Sequence, residues 1–178
     1  MSTTYLMTST LNGFVAGPNH ELDWLYDLPP GDRDFTTFLD GVGAVAMGAS
    51  TYEAILRDAD LLQHPERWHQ AHGDRPVWVF THRSDLPKVP GANLRFATDV
   101  AAEHPAMVQA AGAKDVFVAG GGGLAAAFAE AGVLDRIVIG ITPVLLAGGK
   151  ALFPADARLR LTEVERKGQV VFVSYQVL

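Results

Sequence analysis

Short uninterrupted apolar runs punctuate this chain, and two of them run straight into glycine. Ala44 to Met47 meets Gly48, and Val116 to Ala119 meets Gly120. A run of about four apolar residues bounded by turn residues fits a strand buried on both faces. After each glycine the pattern becomes helical: Ser50, Thr51, Tyr52 and Glu53 open one helix with capping-type residues, and Leu124 to Ala131 forms an Ala-rich one. Strand, tight turn and helix thus occur twice. Tyr5 to Thr10 predicts a first strand that ends at the Asn12-Gly13 turn signal, followed by a short extended piece, Phe14 to Ala16. Pro76 to Thr81 predicts a further buried strand ahead of the polar cluster His82 to Asp85, and Asn93 to Ala97 another. Phe35, Phe38 and Leu39 recur at helical spacing, with Gly41 and Gly43 stopping that helix. Pro105 to Ala111 predicts a helix closed by Gly112.

The last part changes character. Arg136 to Ile141, Leu159 to Arg166 and Val170 to Val177 read as strands with no helix between them, and Lys167-Gly168 supplies a turn for the final pair. Strands alternating with helices imply parallel pairing through right-handed crossovers, and the closing strands imply an antiparallel edge. The expected fold is α/β: a mixed, mainly parallel sheet flanked by helices, with antiparallel C-terminal strands. No linker divides residues 1–178, so one domain is expected.

Composition narrows the function. The chain has 48% hydrophobic and 19% charged residues, an ordinary globular mixture. Its net charge of −6 removes the general pull on a polyanion, which argues against a nucleic-acid partner. A small anionic ligand is still compatible, since helix N-termini and one or two arginines hold a phosphate whatever the total charge. The absence of cysteine excludes disulfides, thiolate catalysis and Cys-ligated metals, and fits a cytoplasmic protein. Met1 to Thr10 carries no leader pattern, and no apolar run approaches the ~20 residues of a membrane span.

The chemistry concentrates at the glycines. Four of them, Gly120, Gly121, Gly122 and Gly123, stand between a strand and the helix opening at Leu124, where bare backbone lets a phosphate approach the amides. The same residues parse as the G-x-G-x-x-A form of a dinucleotide fingerprint, but no acidic residue ends the next strand, which closes Gly140-Ile141-Thr142-Pro143. Gly48, Ala49, Ser50 and Thr51 offer a second amide and hydroxyl cluster; as a hydrolase nucleophile elbow the segment fails, because Tyr52 stands where the closing glycine belongs. Thr81, His82, Arg83 and Ser84 suit a phosphate monoester through a guanidinium fork and hydroxyls, or form a plain solvated loop. His64, His69 and His72 lack a carboxylate pattern for metal. Asp32 and Asp34 sit where a helix start favours carboxylates and where a proton donor is also conceivable; Asp23 and Trp24 lie in a segment placed to cover a cleft.

Taken in order, the segments Ser9 to Ala16, Met47 to Glu53, Val79 to Thr81, Gly120 to Leu124, and Pro143 to Lys150 with Leu152-Phe153 resemble the dihydrofolate-reductase-like superfamily. The nearest likeness is to the reductase domain of the riboflavin-biosynthesis deaminase/reductase and its free-standing bacterial relatives. The resemblance implies NADPH, with Val15 and Ala16 near the nicotinamide, the Gly48 and Gly120 turns on the pyrophosphate, and the loop after Thr81 on the adenosine 2′-phosphate. It implies hydride transfer to a C=N or C=O bond of a small heterocyclic, pterin- or pyrimidine-like, or sugar-like substrate. By the same resemblance Asp32 and then Asp34 are the candidate acids, Asn12 stands where relatives carry Asp, and the protein is a homodimer; Thr142, near the end of a strand facing the expected cleft, is a candidate substrate contact. The apolar closing strands Val170 to Val173 and Tyr175 to Leu178 point to the same assembly through an adhesive edge. The rival reading is a non-catalytic protein that keeps the nucleotide cleft, as Asn12 in place of Asp hints.

Overall fold

The computed structural model describes residues 1–33 and 36–178. In chain order its elements are β1 (Thr3–Thr10), β2 (Phe14–Ala16), α1 (Asp23–Tyr26), a 3-10 turn (Pro30–Arg33), α2 (Thr36–Asp40), β3 (Val42–Gly48) and α3 (Ala49–Asp58). There follow α4 (Glu66–His72), β4 (Val77–Phe80), β5 (Leu94–Ala97), α5 (Val100–Ala111), β6 (Asp115–Val118) and α6 (Gly122–Glu130). The chain closes with β7 (Arg136–Thr142), β8 (Lys150–Ala151), β9 (Leu159–Lys167) and β10 (Val170–Val177).

Eight strands form one sheet in the order β5-β4-β3-β6-β1-β7-β10-β9. All pairings from β5 to β7 are parallel, and β10 runs antiparallel to both β7 and β9. This is the mixed sheet that the alternation of strands and helices, then strands alone, demands. Consecutive side chains of β4 point to opposite faces. Trp78 therefore joins Tyr5, Met107 and Phe128 in one core, while Val77 and Val79 join Tyr52, Leu56 and Trp68 in the other. A two-stranded ribbon, β2 with β8, stands apart from the main sheet.

Several elements differ from the sequence expectation. Gly43 does not stop α2 but lies within β3, where a side chain would collide with the Ala111 backbone at the end of α5. α5 begins five residues before Pro105, because the Asp99 carboxylate caps it by accepting from the Ala102 amide at 3.0 Å. Segments with no helical reading form α1 and α4, each built round one buried tryptophan, Trp24 and Trp68, among exposed or half-buried neighbours. β10 is not an edge: it pairs on both sides, and β9 carries the free edge.

Candidate functional site

At the carboxyl ends of β1 and β6, facing α3, the protein opens into a cleft of about 720 Å³. Such an opening at strand ends is where open α/β sheets bind ligands. Its upper wall is the β6–α6 junction. Gly120 and Gly121 have φ of +140° and +82°, a conformation that explains why glycine follows a buried strand here. The four glycines then divide. A side chain at Gly120 would stand 2.9 Å from Thr51 Oγ1, and one at Gly122 would stand 2.7 Å from the Ala151 carbonyl and closer still to that of Leu152. At Gly121 and Gly123 it would meet open space. Two glycines therefore let the turn seat against α3 and the β2–β8 ribbon, and the other two leave bare backbone facing the cleft.

Two helix N-termini converge here. Neither α3, entered from Gly48, nor α6, entered from Gly121, has a side-chain cap. Their first amides and positive dipole ends suit an anion. Lys150 of β8 lines the same region, and its ammonium has no hydrogen bond or ion pair among the described residues. α3, about 15 Å long, runs down the cleft and presents Thr51, Ile55 and Asp58 on one side. Asp58 is paired with Arg57 at 3.0 Å. The opposite wall is apolar, with Val15, Ala16, Leu22 and Leu25. Leu6 and Phe117 form part of the floor, beside Thr8, whose buried hydroxyl has no partner among the described residues.

The loop between β2 and α1 is held by its own hydrogen bonds. The Gly17 amide donates to the Glu21 carbonyl at 2.9 Å and the His20 amide to the Gly17 carbonyl at 3.1 Å. The Glu21 carboxylate accepts from the Asn19 amide and from Asn19 Nδ2, both at 2.9 Å. These donors and its own amide hold the Glu21 carboxyl below its usual pKa. A Cβ at Gly17 would occupy the place of that carboxylate. The outcome is His20 at φ +67°, on the rim of the cleft.

Of the residues singled out in the sequence, Val15, Ala16, Ser50, Thr51 and Gly120 to Gly123 come together round this cleft. Gly48, Ala49 and Leu124 lie at the two helix entries beside it. The others lie elsewhere. Asn12 ties two loops: its Nδ2 donates to the Leu146 carbonyl at 2.7 Å, and its Oδ1 accepts from the Leu146 amide at 3.2 Å and from Thr10 Oγ1 at 2.9 Å. An amide side chain supplies both donor and acceptor here, which a carboxylate does not. Asp32 accepts from the Gln169 amide at 2.9 Å, over the β9–β10 turn, and does not line the cleft. Asp34 falls outside the described residues. Thr142 is buried and donates to the Ser9 carbonyl at 3.1 Å. Asp23 is exposed on α1, whose Leu25 and Tyr26 line the cleft in place of Trp24.

Thr81, His82, Arg83 and Ser84 form a loop after β4, with Thr81 Oγ1 accepting from the Arg83 amide at 3.0 Å. The Arg83 guanidinium is already engaged, to both Asp85 oxygens at 3.0 and 2.9 Å and to Glu53 Oε1 at 2.6 Å. Among the described residues no group of three or more His, Cys, Asp or Glu side chains is placed to hold a metal ion. No helix among them is long and apolar enough to cross a membrane.

The geometry accommodates a dinucleotide's diphosphate at the bare glycines. Sequence reasoning missed His20, Leu22, Leu25, Tyr26 and Asp58. The only signal for the first of these was the turn-forming string Gly17-Pro18-Asn19.

Comparison with known proteins agrees with the fold. A crystal structure of a putative riboflavin biosynthesis protein from Shewanella sp. PV-4 superposes with a TM-score of 0.76 at 22% identity, covering 100% of this chain and 99% of that one. RibD from Acinetobacter baumannii superposes at 0.67 with 18% identity, and this chain spans 58% of its length. Two Bacillus subtilis (strain 168) proteins, both described as uncharacterized, are similar in sequence. YwjB is 25% identical over 97% of this chain and 96% of its own length, and YyaP is 28% identical over 85% and 79%. The model of the RibD C-terminal domain matches residues 3–173. The chain therefore belongs to the RibD C-terminal domain family.

Proposed function

We propose that this chain is an NADPH-dependent reductase acting on a C=N or C=O bond of a small pyrimidine-like, pterin-like or sugar-like substrate. The observation that carries the reading is the division of labour in the Gly120–Gly123 turn, where two glycines leave backbone bare toward a cleft that receives two uncapped helix N-termini. The diphosphate of the cofactor would rest on Gly121, Gly123 and Ser50, with Lys150 as its cation. When bound, the cofactor supplies the hydride. The chain's own share is to orient the two reactants and to keep water from them, which Leu6, Ala16, Leu25 and Phe117 do as apolar walls. A Thermotoga maritima neighbour of 16% identity, 56% of whose length this chain covers, bears the name diaminohydroxyphosphoribosylaminopyrimidine deaminase/5-amino-6-(5-phosphoribosylamino)uracil reductase, which motivates the pyrimidine class.

The test has two steps. NADPH, NADH and FMN are compared by thermal shift, since a ligand that binds only the folded state raises its melting temperature. Oxidation of NADPH is then followed by absorbance with 5-amino-6-ribosylaminouracil, its 5-phosphate and dihydrofolate. Stabilisation by NADPH with turnover of one of them supports the reading. Absence of any NADPH effect overturns it.

A further inference from the structure

The reduction proposed above needs a proton as well as a hydride; of the carboxylates singled out in the sequence, neither Asp23 nor Asp32 lines the cleft, and Asp34 lies outside the described residues. Asp32 is spent on the Gln169 amide, and Asp58 faces Arg57. Among the described residues that line the cleft, the titratable side chains are His20, Tyr26, Asp58 and Lys150. Of these, only a histidine exchanges its proton near neutral pH without help from its surroundings.

We propose that His20 is the proton donor of this site. Its backbone adopts a left-handed conformation, φ +67°, that non-glycine residues rarely take. Local bonding enforces it: Glu21 grips Asn19 with both oxygens, and Gly17 leaves room for that carboxylate. The loop follows directly on Ala16 of the apolar wall, so His20 lines the same cleft as Ala16, Leu25 and Thr8. In the step proposed, the substrate carbon gains the cofactor's hydride, the double bond's electron pair moves to the adjoining nitrogen or oxygen, and that atom takes the proton from the His20 imidazolium. The imidazole is left neutral and recovers a proton from solvent, to which His20 is exposed. Glu21 is the positioning residue, its carboxylate holding the Asn19 turn that carries His20, and Asp58 and Lys150 are the charged side chains that line the cleft with it.

This inference rests on the reductase reading, and its test separates the two. NADP⁺ and NADPH differ by one charge, on the nicotinamide ring. The pKa of His20 is measured by NMR on imidazole-labelled protein in both complexes, with His64, His69, His72, His82 and His104 as internal references and H20Q to assign the signal. At about 6 Å even a water-like dielectric lowers the His20 pKa by about half a unit in the NADP⁺ complex. That shift, confined to His20, supports the proposal. Equal pKa values in two complexes that both perturb the Gly121 and Gly123 amides overturn it and leave the reductase reading intact. Failure of both cofactors to perturb those amides overturns both. In turnover at saturating NADPH with the aminopyrimidine of the panel, H20Q should lose the rise in kcat on acidification; an unchanged pH profile also overturns the proposal.

Discussion

Gly122 and Gly123 are neighbours of the same residue type with different duties, and substitution separates them. At Gly123 a side chain enters open space in the first turn of α6, so Gly123→Val should fold. It should nonetheless weaken NADPH by more than tenfold, about 1.4 kcal/mol, by covering the bare backbone. Gly122→Val instead drives a branched side chain into the Ala151 and Leu152 carbonyls and should lower the melting temperature before any question of binding arises. Titration of cofactor fluorescence beside a thermal melt reads both outcomes; tight NADPH binding by a folded G123V would remove the turn from the cofactor site. A second residue-scale prediction concerns His72, packed against Trp68 with ring centroids 4.3 Å apart and planes tilted by 39°, and buried enough to bring its pKa down to about 4, with Arg75 adding to the effect. Its folded pKa lies below the ordinary 6.5, so its contribution is intact above pH 6.5 and is lost as the pH falls toward 4, where the unfolded chain takes a proton the folded one refuses. The loss reaches up to about 3 kcal/mol. Urea denaturation at pH 7 and pH 4.5 should show it in the parent and a smaller drop in H72F.

At the scale of elements, the strands that meet glycine were legible because a double-sided core leaves them no polar position: β3, β4 and β6 lie where their apolar runs do. The cleft was half legible. Its phosphate end follows from chemistry local in sequence, whereas its apolar end is made by Leu22, Leu25 and Ile55, brought together only by tertiary packing. α1 and α4 escaped for a related reason: each has one buried aromatic anchor, too few for a helical period. The loop after β4 shows what a sequence withholds most completely. Arg83 reads as a free phosphate ligand, yet Asp85 from its own loop and Glu53 from α3 surround it with two negative charges. A 2′-phosphate at this corner must compete with both. Arg83→Ala should erode any preference for NADPH over NADH, and E53Q combined with D85N should sharpen it, each read as the ratio of dissociation constants. Ratios unmoved by either change would take this corner out of cofactor recognition.

At the scale of the molecule, one sheet face is left bare. Leu161, Val164 and Val171 are 55%, 59% and 37% exposed on the strands β9 and β10, beside an apolar recess of about 370 Å³ lined by Ile139, Phe153 and Tyr175. We propose that a second copy of the chain covers this face, so the adhesive feature is a surface rather than the strand edge that the sequence suggested. Light scattering at micromolar concentration should give a dimer for the parent and a monomer for L161E combined with V164E; a monomeric parent refutes the assembly. The β2–β8 ribbon has a consequence in time. It joins Phe14 to Ala151 and Ala16 to Lys150, and Gly122 rests on its carbonyls, so the pocket closes only when the two ends of the chain have met. Contacts of such long sequence separation form late. During synthesis the glycine turn emerges well before its seat does. In a refolding experiment the signal of NADPH capture should therefore lag behind the circular dichroism of the helices, whose contacts are local.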